Sequence, residues 1–147
     1  MIGIGAVGAG TMIGGGGSVR SGVAEGRGGG IRRPDSVPGE VCFPGEWYDY
    51  DTKYGAGQTS LKIPAPLAPD VIAEVRALAL RAFQATDCAG MARVDFFIEN
   101  DRRVLVNEIN TIPGFTSTSA YPRLWEASGI PYPELIARLI ALALERR

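Results

Sequence analysis

The sequence contains no histidine, which excludes histidine-based catalytic triads, zinc–histidine sites and imidazole acid–base catalysis. Its two cysteines, Cys42 and Cys88, lie far apart and outside any metal-ligand spacing. This pattern indicates two reduced thiols and a cytoplasmic protein. No run approaches the roughly 18–20 apolar residues that a membrane-spanning helix needs. A net charge of −1 favours neither nucleic acid nor an anionic membrane as a partner.

Glycine is concentrated at one end of the chain, with thirteen of its 20 copies in the first thirty residues. Such a segment buries little apolar surface and loses much backbone freedom on ordering, so residues 1–36 are predicted to be a disordered leader. Residues 3–8 match the spacing of a dinucleotide-binding glycine loop, but that motif needs a preceding strand. Only Met1 and Ile2 come before it, so we favour the leader.

From Val37 onward the composition is that of a folded domain, and 147 residues allow one domain or part of a larger one. The pattern of apolar residues and turn residues predicts a strand, a helix, a hairpin, a loop and further helix, which is an α+β fold. The predicted segments are an extended stretch at 41–50, a helix from Pro69, strands at 91–98 and 104–109, a short helix at 124–127 and a last helix opened by Pro133.

The predicted hairpin carries polar side chains that suit a divalent cation. Arg93 and Asp95 alternate onto one face of the first strand, and Glu108 and Asn110 share a face of the second. If the connecting turn has an even number of residues, Asp95 faces Val106 or Glu108 and the two carboxylates converge. Two carboxylates and an amide oxygen suit Mg²⁺, which shares its shell with phosphates. The planar guanidinium of Arg93 would then face phosphate oxygens.

A surface hairpin with solvated charges is the alternative interpretation. The opposite face supplies a core under either interpretation, through Val94, Phe96, Phe97 and Ile109. The segment after Asn110 favours the metal site, because Pro113, Gly114 and a group of hydroxyls offer donors for a carboxylate or an oxyanion. The hydroxyl residues are Thr111, Thr116, Ser117, Thr118 and Ser119.

Residues 93–97 (RVDFF), 107–119 (NEINTIPGFTSTS) and 121–129 resemble the carboxy-terminal signature of D-alanine–D-alanine ligases, members of the ATP-grasp superfamily. Residues 48–54 resemble the mobile loop that this family closes over its active site. The resemblance implies that residues 37–147 form part of an ATP-grasp domain, an antiparallel sheet with flanking helices. It also implies, for the full-length family form, a homodimer that makes D-alanyl-D-alanine for peptidoglycan from D-alanine and ATP.

The resemblance implies that Asp95, Glu108 and Asn110 hold two Mg²⁺ ions, or Mn²⁺, with Glu108 bridging them. The ions would clamp the phosphates of ATP, the co-substrate. In the family, the carboxylate of the first D-alanine attacks the γ-phosphate to give an acyl phosphate. The amine of the second D-alanine then displaces phosphate through a tetrahedral intermediate.

The remaining site residues also follow from the resemblance. Arg93 and the backbone N–H of Gly114 would stabilise the oxyanion, while Lys53 and Ser119 would hold the carboxylate of the second substrate. Tyr54 would help to close the loop, and it favours the dipeptide over D-alanine–D-lactate. Without the resemblance, Lys53 and Tyr54 are an ordinary loop pair and Ser119 caps the next helix. Trp47, Trp125 and the remaining tyrosines are predicted to pack rather than bind.

The sequence departs from the family pattern before residue 37. The amino-terminal substrate domain and the central ATP-binding subdomain of a full ligase have no counterpart in it, and the junction near residues 33–35 is abrupt. We therefore expect a truncated or frameshifted gene, or a piece of a longer ligase, without activity alone. A non-catalytic interaction or remnant fragment is the alternative function, and a ligase of another substrate is a third.

Overall fold

The computed structural model describes residues 18–26, 36–42 and 60–145. Within these residues the strands form one antiparallel sheet in the order β3-β2-β1-β4-β5, with helices flanking it. This arrangement confirms the predicted α+β class. The elements are β1 Ser18–Gly26, β2 Gly39–Cys42, β3 Ser60–Lys62, α1 Pro69–Ala85, β4 Gly90–Glu99, β5 Arg103–Asn110, α2 Ala120–Ala127 and α3 Tyr132–Leu144.

Helix α1 covers one face of the sheet. It begins with Pro69, whose fixed φ and missing N–H suit a first helical turn, and Asp70 there complements the helix dipole. One apolar stripe of α1 packs on the hairpin. The buried residues of this core are Val71, Val75, Ala79, Val94, Phe96 and Val104.

Consecutive residues of β4 point to opposite faces, which separates Phe96 from Phe97. Phe96 is fully buried in the core under α1, whereas Phe97 is 38% exposed. The prediction that placed Phe97 in the same core was therefore wrong, because the two rings are adjacent along a strand. Asp95 shares the face of Phe97 rather than that of Phe96.

Helices α2 and α3 pack together beside the opposite face of β4, where they contact Met91. Helix α2 begins at Ala120, four residues before the predicted 124–127, because Pro122 is tolerated in a first turn that needs no N–H donor there. Trp125 is buried in this cluster, as predicted, with Tyr121, Leu124 and Leu135. No single helix in the described residues is long and apolar enough to cross a membrane, and α2 with α3 reach that length only as a pair bent by 105°.

Strand β1 lies inside the stretch that the sequence predicts to be a disordered leader. Residues 18–21 pair with β2 and residues 20–26 pair with β4, so the structure differs from the prediction at Ser18–Gly26. The physical reason is that ladder hydrogen bonds use backbone groups, which glycine-rich chain also has, and β2 and β4 would otherwise face each other with open edges. Apart from Ser36, the other residues of the predicted leader lie outside the described ones.

Candidate functional site

The turn of the β4–β5 hairpin contains an odd number of residues. Glu99 pairs with Arg103 and leaves three residues between them, two of which, Asn100 and Asp101, have positive φ angles of 51° and 55°. Asn and Asp tolerate this conformation better than other side chains. An uninterrupted ladder from this turn would set Asp95 opposite residue 107. The even-numbered turn that the sequence interpretation required is therefore absent.

A β-bulge between Asp95 and Phe96 restores the convergence of the carboxylates. Phe96 pairs with Val106, whereas Asp95 pairs with Glu108, so one residue of β5 is left without a counterpart. The bulge shifts the later pairs by one residue. It therefore decides between the two predicted partners of Asp95 in favour of Glu108.

Four polar side chains of the hairpin consequently share one face. Arg93 pairs with Asn110 two positions along the ladder from the pair formed by Asp95 and Glu108, so the two pairs are neighbours on this face. Asp95 is only 5% exposed, while the side chain of Glu108 is 51% exposed. A buried carboxylate needs charged or hydrogen-bonding partners, so Asp95 is not a merely solvated surface charge.

The guanidinium of Arg93 is a partner of Asp95. Arg93 Nε donates to Oδ1 at 2.9 Å and to Oδ2 at 3.2 Å, and Nη2 donates to Oδ2 at 2.8 Å. This planar fork matches the two carboxylate oxygens. The pair therefore fixes the orientation of both side chains on the site face.

Asn110 ends β5 with its side chain held by the backbone. Its Oδ1 accepts a hydrogen bond from the Ile112 N–H at 3.0 Å, as in an Asx turn. An amide oxygen has two lone pairs, so one remains available to a cation. The described residues contain no cluster of three His, Cys, Asp or Glu side chains that could hold a metal. A metal on this face would depend on two carboxylates and this amide oxygen.

The loop after β5 brings Gly114 and Ser119 together. Ser119 Oγ accepts a hydrogen bond from the Thr116 N–H at 3.1 Å and lies 2.8 Å from Thr116 Oγ1. Ser119 stands at the N-cap of α2 but makes no side-chain cap bond, so the helix-capping alternative is wrong for its hydroxyl. A Cβ at Gly114 would lie 3.1 Å from Ser119 Oγ, which explains why glycine suits that position.

Aromatic residues hold this loop against the helices. The Phe115 ring lies 5.8 Å from that of Tyr121 and 5.5 Å from that of Tyr132. Tyr132 Oη also donates to the Phe115 carbonyl at 2.8 Å. The sequence interpretation named Thr116 only among the hydroxyl donors, predicted that Tyr132 packs rather than binds, and assigned no role to Phe115. The hydroxyl-rich composition hinted at Thr116, but no local pattern links Tyr132 to a residue 17 positions away.

The structure therefore places the predicted residues in two adjoining groups. Arg93, Asp95, Glu108 and Asn110 share the hairpin face. Gly114 and Ser119 meet in the loop that follows. Lys53 and Tyr54, like Trp47, lie outside the described residues.

Known sequences match most of this chain. The sequence model of the family described as D-ala D-ala ligase C-terminus matches residues 33–141. The D-alanine–D-alanine ligase of Deinococcus radiodurans is 54% identical over 113 residues, and that of Halothermothrix orenii is 57% identical over 112. Each alignment covers 76% of this chain and 33% of the relative. The chain thus spans about a third of the length of the curated relatives that it matches.

Solved structures of ligases share the fold. The D-alanine–D-alanine ligase from Coxiella burnetii matches with a TM-score of 0.70 and 39% identity over 89% of this chain and 32% of its own. The VanG D-Ala:D-Ser ligase from Enterococcus faecalis gives 0.71 and 29%, over 87% and 36%. The Bacillus anthracis D-alanine–D-alanine ligase complexed with ATP gives 0.69 and 25%, over 91% and 41%.

Proposed function

Because the chain belongs to the family of D-alanine–D-alanine ligase C-terminal regions, we propose that it carries the metal- and phosphate-binding part of a ligase that joins two D-alanines. The relatives are D-alanine–D-alanine ligases, and one matching ligase structure is complexed with ATP. Since the chain spans about a third of their length, the activity, substrates and partners of the whole enzyme are proposed for it. The proposal extends to peptidoglycan synthesis in the cytoplasm and to a homodimer for the full-length form.

The proposal rests on one observation, the pairing of Asp95 with Glu108 next to the β-bulge. It sets two carboxylates next to each other, with the amide of Asn110 two pairs further along the ladder and on the same face. This donor set suits Mg²⁺ or Mn²⁺, which Asp95, Glu108 and Asn110 would hold. When bound, the ions would neutralise the negative charge of the ATP phosphates.

The other assigned residues act on the reacting groups and the substrate. Arg93 and the Gly114 N–H would donate to the oxyanion that forms when the second D-alanine attacks. Ser119 and Lys53 would bind the carboxylate of that second D-alanine. Tyr54 would help to close the loop over it. The contact of Ser119 Oγ with the Thr116 N–H supports this role, because it directs the hydroxyl to the loop rather than to α2.

A thermal-shift experiment tests the metal site. Ligand that binds only the native state at about one hundred times its Kd stabilises that state by about 2.7 kcal/mol. We expect Mg²⁺ with ATP to raise the melting temperature of the wild-type chain, and Mn²⁺ to do the same. The shift should disappear in Asp95→Asn. It should persist in the matched control Asp101→Asn, which removes an equal charge from the exposed turn of the same hairpin. Equal shifts in both variants would refute the site.

A second candidate function, a non-catalytic piece of the ligase fold, is supported by the one-third coverage of the relatives. An activity assay separates the two. We expect no measurable phosphate release from the chain with ATP, Mg²⁺ and D-alanine alone. Phosphate release that appears only when the amino-terminal half of a related ligase is added would support the enzymatic function. No release under either condition, despite metal binding, would favour the non-catalytic one.

The amino acid that is joined second is a separate question, since the structural neighbours include a D-Ala:D-Ser ligase. We propose D-alanine because Lys53 and Tyr54 match the family pattern for the dipeptide. In the complemented assay, D-alanine should support faster phosphate release than D-serine or D-lactate. Faster release with D-serine would overturn this choice.

A further inference from the structure

The guanidinium of Arg93 lies between the two carboxylates that the proposed function assigns to the metal. It forms three hydrogen bonds to Asp95, and its Nη2 atom also lies 3.9 Å from Glu108 Oε1. Both oxygens of Asp95 therefore already accept hydrogen bonds from a cation. Without a positive group there, two neighbouring carboxylates, one of them buried, would repel each other.

We propose that Arg93 is the internal counter-ion of the metal site and that metal binding displaces it. This inference depends on the proposed function, because it takes Asp95 and Glu108 as the metal ligands. A divalent ion on Asp95 would meet the guanidinium at the same two oxygens, and like charges at that distance repel. The metal must therefore compete with Arg93 for Asp95.

The displacement has a consequence for the order of events. While Arg93 is bound to Asp95, its Nε–H and an Nη2–H donate to that carboxylate and not to a substrate. Once a metal takes the carboxylate, the same donors become free to face a phosphate or an oxyanion. Metal binding would thus free Arg93 to take its proposed role at the oxyanion. Metal binding and oxyanion stabilisation would then be coupled on this face of the hairpin.

Titrating the full chain with Mn²⁺ alone, followed by calorimetry, tests the competition. Removing a charge-assisted, bidentate competitor should tighten binding about tenfold in Arg93→Gln. Arg93→Lys keeps the charge but loses the fork, so it should tighten binding by about threefold. If only the positive charge of Arg93 mattered, the Mn²⁺ affinity of Arg93→Lys would instead equal that of the wild type.

The matched control is Arg103→Gln, which removes an equal charge from the same hairpin. Arg103 forms an exposed ion pair with Glu99 at 3.1 Å, at the turn end of the hairpin and four residues along β4 from Asp95. Its Mn²⁺ affinity should stay within about twofold of wild type, as expected for a screened surface charge.

The outcomes separate this inference from the proposed function. If neither the wild type nor any variant binds Mn²⁺, the metal site itself fails. If the wild type binds, Asp95→Asn does not, and Arg93→Gln binds equally well or more weakly, the metal site stands and the competition is refuted.

A measurement on the wild-type chain does not depend on how the variants fold. The Nε–H group of Arg93 gives its own nitrogen–proton NMR signal, which can be identified by its loss in Arg93→Lys or, failing that, by its contacts with Asp95. Saturating Mg²⁺ should shift this signal and speed its exchange with water, because the bond from Nε to Oδ1 is broken. An Arg93 signal that Mg²⁺ leaves unchanged would overturn the proposal.

Discussion

Strands β4 and β1 lie side by side in the sheet, yet different interactions specify their positions. β4 buries Val94 and Phe96 under α1 and directs Arg93 and Asp95 to the other face, so its side chains define both faces. β1 belongs to a glycine-rich stretch outside the matched range 33–141, and its backbone pairs with both neighbours. The comparison teaches that the unpaired backbone N–H and C=O groups of two strands can fix the position of a third strand between them, even where the sequence pattern of that third strand is weak.

The largest expected effect is on β4, the strand whose position is specified by its side chains. Phe96→Ala removes a fully buried ring and should lower the free energy of unfolding by about 4 kcal/mol. Phe97→Ala, one residue later and on the half-exposed face, should cost roughly 1 kcal/mol. Urea denaturation of both variants checks this difference. Equal losses would mean that the two faces of β4 are not distinguished as described.

A smaller loss is expected when the backbone pairing of β1 is broken. Ser21 pairs with Gly39 on one side and with Asp95 on the other. Ser21→Pro removes a backbone donor from a central strand and should lower the free energy of unfolding by about 3 kcal/mol. Ser21→Ala keeps the donor and should stay within about 0.5 kcal/mol of wild type. If both variants unfold at the same urea concentration, β1 does not hold the sheet together.

The smallest effect is expected at the turn that sets the hairpin register. Asp101 has a φ angle of 55°, so Asp101→Gly relieves an uncommon conformation and should raise the free energy of unfolding by about 0.5 kcal/mol. Arg102, the next residue, has no such φ angle in the structure. Arg102→Gly should therefore lower the free energy of unfolding by about 0.5 kcal/mol. Thermal unfolding of the two variants should therefore shift in opposite directions, and shifts of the same sign would contradict this turn geometry.

Much of the fold could be predicted from local patterns. The stripe that contains Val71, Val75 and Ala79 identifies the buried face of α1, and alternation identifies which of Arg93 and Asp95 share a face. The start of α2 was missed because Pro122 reads as a breaker, although a first turn tolerates it. β1 was missed because its stability depends on neighbours far away in the chain, which no window of sequence contains.

The candidate site, like the fold, divides into features that the sequence predicts and features that depend on distant parts of the chain. The residue types on the hairpin and the likeness to the ligase family come from the sequence alone, since side-chain chemistry and alternation are local properties. Only the tertiary structure decided that Asp95 meets Glu108, that Asp95 is buried and bound by Arg93, and that a glycine-rich segment contributes a central strand. Those features depend on a bulge, on burial and on pairing between separate segments, and each is a sum over contacts that the linear order of residues does not specify.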